Sequence, residues 1–343
     1  MAYATGTVAN HTAMWDTLLT FLTTNATLVS AGQAWTKVWE IPGQPEVVMR
    51  SPSGAHVAMK RTDETLTAGE SVIWLSGCTG VVPSAPNYMS HVNSLARGPA
   101  AFLDHNPMTY WIVANGRRFV LVVKMSTVYQ AIYGGFFLPY AAPTAYPYPM
   151  FIGGTRGFSS LHSFYQAPLS WRAVESDYHR QFVYPRAAYV SIVQYCDSPA
   201  TMMRPDAIWM GGTIDYNGTM PILPRFVVGP RGFPSSVEDT LDGNAYLSTP
   251  NSTGVTRFGY NTVRSRMIAG LNGELALTPI TLMAFNTVDP VTPVTYGILD
   301  GCYSVPGYDN SAETIITVGG VNHLVVANIA RTGVDEYWAL ALE

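Results

Sequence analysis

The dipeptide Asn115-Gly116 constrains this chain most, because it lies between two β-prone runs, Thr109-Tyr110-Trp111-Ile112-Val113 and Phe119-Val120-Leu121-Val122-Val123-Lys124. A type I′ turn needs positive φ at both central residues, and Asn-Gly supplies it, so a β-hairpin is predicted through Ala114-Asn115-Gly116-Arg117. The second arm is apolar on successive residues rather than alternating. Such a strand has both faces covered by protein, which predicts a central place in its sheet. Downstream, Tyr129, Tyr133, Phe136, Phe137, Tyr140, Tyr146 and Tyr148 are interleaved with Gly134-Gly135, Pro139, Pro143, Pro147 and Pro149. Glycine and proline at this density stop a long helix, and the aromatics supply core packing or, in the competing reading, a ligand or partner surface.

Upstream, Asn10 or Thr12 can cap a helix over about residues 11–24, with Trp15, Leu18, Leu19 and Leu22 at i, i+3, i+4 and i+7. Asn25 and Gly32 are its candidate terminators. Short strands are predicted at 34–40, 46–50, 55–61 and 71–76, so residues 1–80 read as an α+β unit. Residues 81–107 carry Pro83, Pro86, Pro99 and Pro107 and few regular signals, which predicts a long structured connection. Further strands are predicted at 182–184, 188–195, 207–210 and 225–228, with turns at Gly153-Gly154, Gly211-Gly212, Asn217-Gly218 and Gly229-Pro230. Residues 229–259 are rich in Pro, Ser, Thr, Asn and Gly and predict an extended loop. Strand character returns at 275–285, 295–299, 313–318, 323–329 and 337–342, separated by turns at Asn272-Gly273, Asp300-Gly301 and Gly319-Gly320. The expected fold is mainly β with a small N-terminal α+β unit, sandwich-like antiparallel sheets and long loops. Its expected domains are 1–80, a central β-rich domain at 81–228 and a C-terminal β-rich domain at 229–343. The chain's last residues form a strand-like run, expected to be docked.

Charged residues make up 12% of the 343, against roughly 25% for an ordinary soluble domain. A surface built from Ser, Thr, Asn, Gly and Tyr suits burial against other subunits better than a free enzyme. Net charge is −4 with no Lys/Arg block, which argues against a nucleic-acid footprint. The first twenty residues lack the pattern of a secretory signal, and no apolar run reaches the ~18–20 residues that span a bilayer, so no membrane insertion is expected. Cys78, Cys196 and Cys302 are odd in number and far apart, which predicts buried free thiols.

Catalytic motifs are missing. His11, His56, His91, His105, His162, His179 and His323 form no HExxH, and there is no GxSxG elbow, Walker lysine or GxGxxG. Asp104-His105 is an adjacent acid–histidine pair, for which a structural role outweighs catalysis. Glu238, Asp239 and Asp242, or Asp309 with Glu313, could serve glycoside hydrolysis only at separations of ~5–9.5 Å; solvated loop acids are the plainer reading. Tyr146, Tyr148 and Trp171 could form a platform for sugars, against core packing or subunit contact. No enzyme activity, cofactor or metal is expected.

Several phrases do carry a likeness. Tyr110-Trp111-Ile112-Val113-Ala114-Asn115-Gly116-Arg117-Arg118 resembles a phrase of virion structural proteins from tailed bacteriophages. So do Ser126-Thr127-Val128-Tyr129, Gly135-Phe136-Phe137-Leu138-Pro139-Tyr140 and residues 146–154. The N-terminal helix with Ala34-Trp35, then Asp300-Gly301-Cys302-Tyr303 and Arg331-Thr332, are similar in order. The resemblance implies a structural subunit of the virion, in the neck, collar or tail assembly, partnered by copies of itself and other virion proteins. It carries no catalytic residues. Tyr110, Trp111, Arg117, Tyr140, Tyr146 and Tyr148 are the candidate interface residues, and a tail or baseplate module binding a receptor or glycan is the alternative.

Overall fold

The computed structural model describes residues 1–63, 70–94, 99–140, 142, 148–155, 191–194, 208–210, 225–229, 277–285, 294–305, 310–327 and 337–343. Its first strand, β1 (Ala2–Val8), pairs antiparallel over all seven residues with β7 (Met108–Ala114). Helix α1 (His11–Thr24) follows at once. Asn10 stays extended and its Oδ1 accepts the Ala13 amide at 3.0 Å, which satisfies one of the N–H groups that a helix start leaves orphaned. Met14, Trp15, Leu18, Phe21 and Leu22 are buried, so the apolar stripe faces the core. Asn25 ends α1 and caps α2 (Ala26–Ser30), its side chain accepting from Thr27 and Leu28.

A five-stranded antiparallel meander comes next: β2 (Thr36–Glu40), β3 (Glu46–Arg50), β4 (His56–Asp63), β5 (Glu70–Cys78) and β6 (Ala100–Asp104), in that order. The second sheet has 14 strands among the described residues. It starts β1–β7–β8 (Arg118–Met125)–β9 (Val128–Phe136)–β11 (Met150–Gly154). It continues through β12 (Ser191–Gln194), β13 (Ile208–Met210), β14 (Arg225–Gly229), β15 (Thr278–Phe285) and β16 (Val294–Val305). It ends β19 (Tyr337–Leu342)–β18 (Val321–Ala327)–β17 (Ile315–Val318). The pairings are antiparallel except β13 with β14, and the sheets stack as a sandwich rather than a closed barrel.

The alternation of side chains along β8 explains the layering. Phe119, Leu121, Val123 and Met125 face a first core with α1 and the five-stranded sheet, whereas Val120 and Val122 face a second core with Trp338, Leu340 and Val325. Strand β9 divides the same way, Ile132 and Phe136 one way and Tyr129, Ala131 and Tyr133 the other. Both faces of the hairpin's second arm are covered, and the successive apolar residues are the record of it. The short β10 (Leu138–Pro139) pairs with Ile298 and Gly297 of β16, whose far half pairs with β19. A Cβ on Gly297 would run into the Leu138 carbonyl, so glycine is what lets β10 approach.

The mainly β, antiparallel fold agrees with the sequence, as do α1, β3, β19 and the Gly319-Gly320 turn, whose glycines have φ of 61° and 84°. Three expectations need correction. The Asn115-Gly116 loop joins β7 to β8 without positive φ at either residue; instead Asn115 Oδ1 accepts the amides of Arg117 and Arg118, and the Asn115 amide donates to the Arg118 carbonyl. Residues 81–107 hold a strand, β6, which completes the five-stranded sheet despite its proline-rich approach. Asp300-Gly301 is no turn: it lies inside β16, with Gly301 at φ 72°. Strand pairings also cross residue 80 both ways, β6 joining β5 and β1 joining β7. The strand expected at 182–184, the loop expected at 229–259 beyond its first residue, and the turns at Gly211-Gly212, Asn217-Gly218 and Asn272-Gly273 lie outside the described residues.

Where the two sheets meet, a Cβ on Gly154 of β11 would lie 2.6 Å from the Ala100 carbonyl oxygen and 2.7 Å from its nitrogen. Backbone cannot yield as a side-chain tip does, so Gly154→Ala is expected to cost about 1–3 kcal/mol. Asn10→Ala, which removes only the cap of α1, should cost about 1 kcal/mol. Urea denaturation of both variants against wild type checks the pair, and a Gly154→Ala midpoint equal to wild type would refute the close approach.

Candidate functional site

Two phrases far apart in the chain meet between the hairpin and β16. Asn115, whose Oδ1 already holds the loop, donates from Nδ2 to Asp300 Oδ2 at 2.8 Å. Arg118, fully buried, places Nε 3.5 Å from the same oxygen, an ion pair longer than a hydrogen bond. Its Nη1 donates to the Val113 carbonyl at 3.4 Å and its Nη2 contacts Met1 Sδ at 3.0 Å. A Cβ on Gly301 would strike Arg118 Nη2, and one on Gly135, at φ 132°, would strike the Arg117 carbonyl. Two glycines thus clear the space that this arginine fills.

The surroundings are unreactive. Burial pushes the Cys302 thiol up to about 12, with Arg118 pulling the other way, so it stays protonated at neutral pH. Burial likewise raises Tyr133 well above the ordinary phenol value, and its hydroxyl donates to the Phe136 carbonyl at 3.0 Å. The cluster can hold two elements together. It offers no activated nucleophile.

A second tether joins β8 and β9 to the segment before β17. Lys124 Nζ pairs with Glu313 Oε1, and Tyr129 Oη donates to the same oxygen at 2.6 Å. Partial burial opposes ionisation of Glu313, but the hydrogen bonds from Lys124 and Tyr129 outweigh it and hold the carboxyl below its usual value. Burial and then the Glu313 contact push Tyr129 upward. Glu313 has φ 71°, an uncommon conformation that the tether and the Glu313 amide's bond to the Val325 carbonyl hold in place.

The first core has its own polar group. Glu46 is 3% exposed, pairs with Lys60 at 2.6 Å and accepts the Tyr88 amide at 2.8 Å, which pins residues 81–94 to β3. Burial lowers the pKa of His91, offset in part by Glu46; its Nδ1 accepts the Val82 amide at 3.2 Å, and its ring meets Trp39 edge-on. Asp104 and His105 do not act as a pair. Asp104 Oδ1 accepts the amide and Nδ2 of Asn106, whereas His105 stacks on His11 with centroids 4.1 Å apart. Cys78 is buried and pushed up to about 12 by desolvation. Among the described residues no group of three or more His, Cys, Asp or Glu could hold a metal ion, and no helix is long and apolar enough to cross a membrane.

The candidate interface residues are dispersed. Tyr140 is 64% exposed. Tyr110 is half-buried over Gly6, and Trp111 is buried in the second core. Arg117 is half-buried and donates from Nη2 to the Phe137 carbonyl at 3.1 Å. Tyr148 is buried within its own chain: its hydroxyl donates to the Cys78 carbonyl, accepts the His56 amide at 3.1 Å, and its ring meets Phe136 edge-on. It therefore has no face open to a sugar. Tyr146, Trp171, Cys196, Glu238, Asp239, Asp242 and Asp309 lie outside the described residues. Sequence reasoning gave Arg118, Asp300 and Lys124 no contact of their own and weighed Glu313 only as a hydrolytic or solvated loop acid, so it missed both tethers. The available signal was Arg118 at the head of an apolar strand and an Asp-Gly inside β-prone sequence.

Asp300→Ala leaves a buried guanidinium without its counter-charge and is expected to cost about 3–5 kcal/mol, far more than Lys37→Ala in the exposed Lys37–Glu40 pair, at about 0–1 kcal/mol. Equal losses by urea denaturation would refute the burial argument. The Glu313 tether has a pH signature. A carboxyl with a depressed folded pKa contributes stability above its unfolded value, near 4.5, and loses it as pH falls through the lower folded value. Glu313→Gln should therefore destabilise at pH 7 and converge on wild type as pH falls below that lower folded value; a constant difference would argue against the tether. Compared with known protein families and with curated proteins, the chain matches none.

Proposed function

We propose that this chain is a non-enzymatic structural subunit of a tailed-phage virion, in the neck, collar or tail assembly, working through subunit contacts. The observation that carries the reading is that Asn115-Gly116-Arg117-Arg118 and Asp300-Gly301-Cys302-Tyr303, two phrases with the virion-protein likeness, meet in a polar junction around the buried Arg118. Motifs that specify a junction suit a scaffold, whereas motifs of an enzyme family gather reactive groups in a cleft. The low share of charge supports the same reading, since subunit interfaces are poor in Lys, Glu and Asp.

A second reading, a receptor- or glycan-binding module, is favoured by Tyr140, whose exposed ring could stack on a sugar. Static light scattering and negative-stain imaging of the purified protein over a range of concentrations separate the two. A ring or other defined oligomer is expected. A monomer at every concentration that binds on a glycan array, and loses that binding in Tyr140→Ala, would replace the scaffold reading with the second.

A further inference from the structure

The larger sheet has two ends, and both are open among the described residues. At one end β1 has β7 as its ladder partner; at the other β17 has β18. Alternate N–H and C=O groups of each end strand therefore face away from the sheet. Natural edge strands are usually guarded by Lys, Pro or an inward charge. Neither Ala2-Tyr3-Ala4-Thr5-Gly6-Thr7-Val8 nor Ile315-Ile316-Thr317-Val318 contains a charged residue or a proline. Tyr3 is 49% exposed, Ile315 48% and Val318 45%, half of the six large hydrophobics that the described surface exposes.

Both edges are also fixed in place, so that little order remains to be gained on pairing. Strand β1 is laddered to β7 along its whole length, with Thr5 Oγ1 donating to the Tyr110 carbonyl at 2.9 Å. Strand β17 is held by its two-glycine turn to β18 and, just before it, by the Glu313 tether to Lys124 and Tyr129. An isologous contact at one end would leave the other end unpaired. A head-to-tail contact fills both with one type of interface, and sets the exposed Tyr3, Thr5 and Thr7 beside β-branched Ile315 and Thr317, a favoured kind of cross-strand neighbour.

Building on the proposed role as a virion subunit, we propose that β1 of one copy pairs with β17 of the next, so that the larger sheet runs on through successive copies. Such a heterologous contact closes into a ring where its rotation permits and otherwise extends as a filament. Two lysine variants test it, Tyr3→Lys on β1 and Val318→Lys on β17, with Val29→Lys as the control, because Val29 is 54% exposed and lies on α2, in neither edge strand.

Light scattering should show each edge variant weakened in self-association by about tenfold or more, with the control unchanged. The decisive measurement mixes the two edge variants. The first retains an intact β17 and the second an intact β1, so the mixture should form a heterodimer and nothing larger. Variants that do not give the wild-type thermal unfolding profile are replaced by Thr7→Lys and Thr317→Lys, both also exposed. Assembly that survives both edge charges, that responds at one edge alone, or that the control weakens equally would overturn the edge contact while leaving the subunit role standing. A wild-type protein that is monomeric throughout would overturn both.

Discussion

Arg118 is the constraint on which the rest of this structure depends. A guanidinium with no exposure is costly to place in a protein interior, and it is tolerated only where counter-charge and hydrogen-bond acceptors surround it. Here the acceptor and the counter-charge come from distant parts of the chain: the Val113 carbonyl on the neighbouring strand, and the Asp300 carboxylate, 185 residues beyond the Asn115 that donates to it. The hairpin and β16 are thereby fixed in register. A slip of either strand by one residue would turn the charge toward the wrong face. Net stabilisation is a poor description of such a pair, because an apolar pair of the same volume could pack there as well. Its effect is to make one arrangement of the two cores much cheaper than its alternatives.

That logic explains which parts of the fold were legible in the sequence. Strand β8 was readable because its whole length obeys one rule, burial on both faces, and α1 because its cap and apolar stripe agree. Where two rules competed, the stronger was tertiary. Asp300-Gly301 has the composition of a turn, yet the glycine serves to admit the Arg118 guanidinium in mid-strand. Asn115-Gly116 has the composition of a type I′ turn, yet the Asn side chain satisfies the loop amides itself and no left-handed residue is needed. Strand β6 was hidden for a different reason: Ala100, Ala101, Phe102 and Leu103 form a short run between prolines, and only pairing with β5 makes it a strand.

The aromatic segment shows the limit for sites. Its tyrosines look alike in sequence, yet Tyr133 and Tyr148 are interior residues with engaged hydroxyls, whereas Tyr140 is exposed. The alternation runs unbroken through Gly134-Gly135 within β9, but Tyr140 and Tyr148 lie beyond that strand, where its period no longer says which way a ring faces. Local pattern could single out Arg118 at the head of an apolar strand and Asp300-Gly301 within a β-prone run, but not their junction, which is a contact between distant segments.

Several of the described charges serve to join elements of the fold. Among the described residues Arg118, Glu46 and Asp104 are buried, and Lys60, Asp300, Lys124 and Glu313 partner one another or those groups across elements. A domain that must stay apart from its neighbours places charges at the edges where backbone hydrogen bonds are unfilled. Strands β8 and β9 of the larger sheet are covered on both faces and tied by ionic contacts, while its two end strands carry no charge at all. Among the described residues, two uncharged end strands on a sheet so tied fit the proposed continuation of that sheet through successive copies.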